Sequence, residues 1–256
     1  LLGARPVFVD VELASANIDA EALEGVISDQ TKAIIVVGLY GQPPAMHRIS
    51  AIAARYGIPV IEDAAQSFGV LYDGRRSCGL GALGCTSFFP SKPLGCYGDG
   101  GACFTDQDEI AQALREIRIH GQSKRYTHTR LGINGRLDTL QAAILLAKLE
   151  VFEAELKERL RVATIYDTAL ARLSPNLRLF TPSPSVVSAY GQYTVATPER
   201  EALAAYLAER SIPTAIHYPL ALHQQPLLAG CKSKRLANAE KLAAEKAAAD
   251  GALACA

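Results

Sequence analysis

The chain has no excess charge of either sign. Its 26 basic residues are balanced by 26 acidic ones, so nothing in the charge balance marks a nucleic-acid or anionic-membrane partner. No apolar run reaches the length of a bilayer span. The six cysteines, Cys78, Cys85, Cys96, Cys103, Cys231 and Cys255, contain no C-x-x-C pair and have no histidine at zinc spacing. That argues against a metal site or a disulfide framework and for reduced thiols in a cytosolic (cytoplasmic) protein. No G-x-G-x-x-G follows a strand, which disfavours a nicotinamide-binding protein. What remains is a chain of 256 residues, 49% hydrophobic and 20% charged, able to bury a sizeable core in one large or two modest domains.

Along the chain, Pro6–Val11 reads as a short β-rich run, and Asn17-Ile18-Asp19 as a helix start before residues 20–27. Residues 33–37 form a continuous apolar run of strand length, which predicts a strand buried on both faces. A breaker cluster at Gly41-Gln42-Pro43-Pro44 precedes a helix over 46–56, and Ile58–Ile61 is the next strand. Strand, helix, strand over this distance is a crossover unit, so an open parallel sheet is expected, with ligands beyond the carboxyl ends of its strands. Asp63 falls at such an end.

Further on, the glycine-rich Gly95–Gly101 reads as a close-approach loop or a plain turn between strands, followed by a strand at 102–105 and an amphipathic helix at 108–118. Residues 120–138 are polar and irregular. Apolar spacing from 137 to 170 predicts one long helix. Breaks at Ser174-Pro175-Asn176 and Pro182-Ser183-Pro184 lead to a strand at 190–197 and a helix at 199–210, an α+β pattern. From Cys231 an alanine-rich helix former runs to Ala254-Cys255-Ala256.

Two residues suggest a particular chemistry. Lys92 stands among Phe88, Phe89, Pro90 and Pro93, a setting that strips water from an ammonium and favours a neutral amine able to condense with an aldehyde. Taken alone, a solvated surface lysine is the commoner case. Asp63 suits a cofactor ring nitrogen, and equally suits the N-cap of a helix starting at Ala64. An acid and an amine so placed fit pyridoxal 5'-phosphate (PLP).

The motifs D-A-A-Q at 63–66, S-F-F-P-S-K-P-L-G at 87–95, G-D-G-G at 98–101, H-G-Q-S-K-R-Y at 120–126 and G-I-N-G-R-L-D-T-L-Q-A-A-I-L at 132–145 resemble the DegT/DnrJ/EryC1/StrS family of PLP-dependent nucleotide-sugar aminotransferases. The likeness runs to about Leu228. The run from His120 to Leu146 is most similar to members that aminate a UDP-2-acetamido-3-oxo-glucuronate sugar for surface polysaccharide such as lipopolysaccharide O-antigen. The resemblance implies an α/β, aspartate aminotransferase-like type I PLP fold with a mostly parallel sheet. Residues 1–150 would be part of the large PLP-binding domain. Residues 151–256 would hold the linking helix and a small α+β carboxyl-terminal domain whose end is shortened or divergent, since a Leu-Pro-Met-His segment is absent.

It also implies site residues. Lys92 matches the cofactor-bearing lysine, where related sugar dehydratases carry histidine. Asp63 matches the partner of the pyridinium nitrogen, Gln66 the residue near the ring's phenolic oxygen, and Ser87 a phosphate ligand. Asn134 and Arg136 match a loop that enters the neighbouring subunit's site in a homodimer, the asparagine toward phosphate and the arginine toward substrate. Arginine can hold a uronate carboxylate bidentately, or here form an ion pair with Asp138 or with glutamates of the long helix. His217 and Tyr218 match a segment lining the sugar pocket. The expected reaction is transamination between L-glutamate, released as 2-oxoglutarate, and a 3-oxo UDP-sugar. Family members also carry a preceding phosphate-binding helix start and a ring-stacking aromatic. Their absence here supports the alternative of a non-catalytic, weakly PLP-binding remnant serving as a scaffold.

Overall fold

Asp19 begins the first helix: Glu21 N–H donates to its Oδ1 at 2.8 Å, the N-cap arrangement, and α1 spans Ala20–Leu23. The computed structural model describes residues 2–173, 176–231 and 235–249. Strand β1 (Ile34–Val37), helix α2 (Met46–Arg55) and strand β2 (Val60–Asp63) form the anticipated crossover, β1 and β2 pairing in parallel. A small antiparallel pair, β3 (Leu71–Tyr72) and β4 (Arg75–Arg76), follows. Then come β5 (Leu83–Ser87), β6 (Gly101–Phe104) and α3 (Asp108–Arg118). The sheet order is β1-β2-β5-β6. It is not wholly parallel: β5 joins β2 in parallel but β6 runs antiparallel to β5, because the short Phe88–Gly100 connection contains no crossover helix to turn the chain round.

Three local expectations are corrected. Pro6–Val11 is not a strand. Val11 makes only an isolated bridge to Ile18, and Asp10 instead accepts the backbone N–H groups of Asn238 and Ala239 at 3.1 and 2.9 Å, pinning the segment to the start of a later helix. Strand β1 is buried on one face only: Ile34 and Val36 join a core with Leu23, Met46, Ile49 and Val60, while Ile35 is 64% exposed. Both α1 and α2 pack on the first face, so among the described residues the second stays open. Residues 120–138 contain a short hairpin, β7 (Gln122–Lys124) with β8 (Thr127–His128).

Helix α4 runs 32 residues, Thr139–Leu170. Its first half packs Leu145 and Phe152 on Phe88, Leu94 and Cys96. Its second half packs Ala163 and Tyr166 on Tyr190 and Tyr193. Beyond it lie β9 (Arg178–Leu179), β10 (Val186–Val187), β11 (Tyr193–Ala196), α5 (Arg200–Ala208), β12 (Thr214–Ala215), α6 (Ala237–Glu245) and β13 (Lys246–Ala249). Strand β10 joins β3, and β12-β13-β11-β9 form a second, antiparallel sheet. The alanine-rich stretch is therefore not one helix. It leaves the helix at Lys246, where pairing on both sides with β11 and β12 outweighs alanine's helix preference. Ser174-Pro175, Lys232-Ser233-Lys234 and the expected helix through Ala254-Cys255-Ala256 lie outside the described residues. No helix among the described residues is long and apolar enough to cross a membrane.

Candidate functional site

The carboxyl ends of β1, β2 and β5 lie side by side, and each turns sharply there. Gly38 N–H donates to Asp63 O at 2.9 Å, and Ala64 N–H to Cys85 O at 2.8 Å. Glu62 and Asp63 are consecutive strand residues and so face opposite sides of the sheet. Glu62 is fully buried, its Oε2 accepts Leu80 N–H at 3.0 Å, and burial raises its carboxyl above the ordinary range. Asp63 is half-buried on the open side. Ala65 N–H donates to its Oδ1 at 3.0 Å. Turns rather than a helix follow it, so this bond closes a local turn and does not cap a helix. No hydrogen-bond donor among the described residues meets Oδ2.

The loop carrying Lys92 is tightly constrained. Phe88 N–H donates to Gly100 O at 2.8 Å, Cys96 N–H to Phe88 O at 2.8 Å and Lys92 N–H to Phe89 O at 2.9 Å. Lys148 of α4 donates to Gly95 O at 2.7 Å, and Gln141 accepts Tyr97 N–H at 2.8 Å. A Cβ at Gly95 would lie 2.5 Å from Pro90 O, so only glycine lets the loop close on itself. Lys92 itself is half-buried, and its amine meets no acceptor among the described residues. Ser87 ends β5 and its Oγ accepts Phe89 N–H at 3.2 Å, leaving the hydroxyl proton free for an anion.

Gln66 ties these turns to the second sheet. Buried, it accepts Tyr40 N–H on Oε1 at 2.7 Å and donates through Nε2 to Tyr218 Oη at 3.3 Å. Tyr40 in turn donates its hydroxyl to His217 O at 2.5 Å. Gln66, His217 and Tyr218 are thus brought together, through a residue that sequence reading missed. Tyr40 sits at φ 59° three residues past the end of β1, and its only sequence signal is the breaker cluster that follows it. Burial raises its phenol, and Lys246 lies 5.3 Å above its ring with its own pKa pulled down to about 8 by burial. A Cβ at Gly191 would sit 2.7 Å from Gln66 O and 3.5 Å from the Pro93 ring, so Gly191 lies close against both Gln66 and Pro93, the residue next to Lys92.

Asn134 and Arg136 are not part of this cluster. Arg136 Nε donates to Asn134 Oδ1 at 3.0 Å, no bond to Asp138 forms, and every residue from 123 to 140 is exposed.

Residues 1–249 match the DegT/DnrJ/EryC1/StrS aminotransferase family. The chain belongs to that family. Within the family it is 55% identical, over 91% of its length, to the UDP-2-acetamido-2-deoxy-3-oxo-D-glucuronate aminotransferase of Pseudomonas aeruginosa, and spans 65% of that protein. It is 44% identical, over 95% of its length, to the pleiotropic regulatory protein of Geobacillus stearothermophilus, of which it spans 66%. Among solved structures, a family aminotransferase from Brucella abortus superposes with a TM-score of 0.93 at 40% identity, covering 97% of this chain and 68% of that one. DesV of S. venezuelae superposes with a TM-score of 0.91 at 35% identity, covering 95% of this chain and 66% of that one. The α/β fold, aspartate aminotransferase-like and of type I, is the one this chain shares with those structures.

Proposed function

We propose that this chain forms part of a PLP-dependent aminotransferase that moves an amino group from L-glutamate to a 3-oxo UDP-N-acetyl sugar, a uronate, for surface polysaccharide. The observation that carries the reading is a lysine amine that meets no acceptor among the described residues, on a rigid loop at the same end of the sheet as a carboxylate with one oxygen that meets no donor among them. The printed activity of the Pseudomonas aeruginosa relative, at 55% identity, supports the substrate class.

The residues present fit PLP. Asp63 Oδ2 would hold the ring nitrogen, Gln66 would flank the ring, Ser87 Oγ would donate to phosphate, and Lys92 Nζ would hold the aldehyde carbon. When bound, PLP supplies an electron sink for a carbanion. Lys92 Nζ would take the proton from the amino donor's Cα as a base and deliver it as an acid to the carbon that carried the cofactor's aldehyde. His217 and Tyr218 would line the sugar side, positioned by Tyr40 and Gln66.

The exposed Asn134 and Arg136 suit a site completed by a second copy in a cytoplasmic homodimer. There Asn134 would reach phosphate and Arg136 the uronate carboxylate. In this reading residues 1–150 belong to the large cofactor-binding part and those after it to the linking helix and small domain. The test is the near-visible spectrum of the purified chain with PLP, before and after L-glutamate. A band absent from free PLP that glutamate bleaches is the expected result. An unchanged free-PLP spectrum overturns catalysis by this chain and favours a scaffold.

A further inference from the structure

We propose that Cys85 and Cys103 form a cross-strand dithiol modification site, which a small-molecule disulfide converts to a covalent tie between β5 and β6. The two residues are direct partners in the antiparallel ladder. Phe88 N–H donates to Gly100 O, which makes that pair, one step beyond the last strand pair, hydrogen-bonded. Such pairs alternate with non-hydrogen-bonded ones, so Thr86 and Ala102 are bonded while Cys85 and Cys103 are not. Non-bonded partners bring their Cα atoms to about 4.5 Å with side chains on one face, inside the roughly 4.4–6.8 Å window that a disulfide requires.

Access and location support the pair. Cys103 is exposed, Cys85 is half-buried, and both line one cavity of about 1190 Å³. Among the described residues the other thiols are placed differently. Cys96 is buried with Sγ donating to Phe88 O at 3.0 Å, Cys78 lines the same cavity but is buried in a turn with no cross-strand partner, and Cys231 lies far along the chain beyond α5. Register puts Val37, Asp63, Cys85 and Cys103 in one row across the four strands, so the tie closes beside the carboxylate of the candidate site.

The Cys103 thiolate attacks one sulfur of the reagent disulfide, releasing one thiol and leaving a mixed disulfide. The Cys85 thiolate then attacks the protein-side sulfur and displaces the second thiol. Two protein thiols are oxidised, one disulfide is reduced to two thiols, and the protein's two protons end on the leaving groups. Burial raises both thiols, Cys85 to about 11 with Asp63 adding to the rise.

The experiment incubates the purified chain with oxidised glutathione, quenches in acid, alkylates free thiols, cleaves before aspartate and reads masses. Fragment 73–98 joined to fragment 99–105, with Cys78, Cys96 and Cys231 alkylated and the link undone by dithiothreitol, is the expected result. Cys103→Ser abolishes the link, and Cys85→Ser halts Cys103 at the glutathione adduct. A stable glutathione adduct on Cys103 in the unaltered chain overturns the proposal, as does equal oxidation of all the thiols. No cofactor enters the assay, so its outcome is independent of the aminotransferase reading.

Discussion

The cluster around Gln66 and the segment from 123 to 140 are opposite ways of presenting functional groups. In the first, Gln66, Tyr40, His217 and Tyr218 bond to one another across two sheets, and the Lys92 loop is tied by five hydrogen bonds to its backbone. In the second, the side chains of Asn134 and Arg136 bond, among the described residues, only to each other on a wholly exposed stretch. Groups of the first kind owe their geometry to this chain. Those of the second kind have spare hydrogen-bonding capacity for something outside it.

Substitutions can break that contrast, and the largest expected effect is at Lys92. Lys92→Ala should abolish the visible PLP band while leaving the far-UV circular dichroism unchanged; a surviving band would mean another amine holds the cofactor. Asp63→Asn comes next, because it removes a charge-assisted bond worth about 1.5–3 kcal/mol. PLP should bind about 10- to 150-fold more weakly in a spectrophotometric titration.

Gln66→Ala leaves the buried Tyr40 N–H without its acceptor and should cost about 1–3 kcal/mol in urea unfolding. Arg136→Ala should stay within about 0.5 kcal/mol of the parent even where it impairs turnover. Equal stability losses at these two positions would erase the distinction.

A finer test uses Lys246, whose pKa in the fold is lowered from 10.5 to about 8 by burial. Between those values the unfolded chain binds the extra proton, so stability should rise with pH across that window and level off above it. Lys246→Met should remove this part of the slope in denaturation curves taken at successive pH values.

Periodicity made much of the framework readable. The alternation through β1, α2 and β2, helix α3 at Asp108–Arg118 and the long α4 all follow from apolar spacing that local structure dictates. Burial was less readable. The run at 33–37 is apolar throughout, and nothing within it tells that helices will cover Ile34 and Val36 but not Ile35. Lys246–Ala249 has a helix former's composition, and only partners dozens of residues away make it a strand. In the site, Asp63 and Lys92 stood out by chemistry and resemblance. Tyr40 did not, because its role comes from a positive φ and contacts with residues 26 and 177 positions away.

Helix α4 has a mechanical consequence. At about 1.5 Å per residue, its 32 residues make a rod near 48 Å long. One part grips the Lys92 loop through Leu145, Phe152 and Lys148, and the other grips the second sheet through Ala163, Tyr166 and the bond from Tyr193 Oη to Asp167. A tilt of the second sheet is therefore geared to the amine-bearing loop as by a lever, and the two sides of the site cannot shift independently of each other.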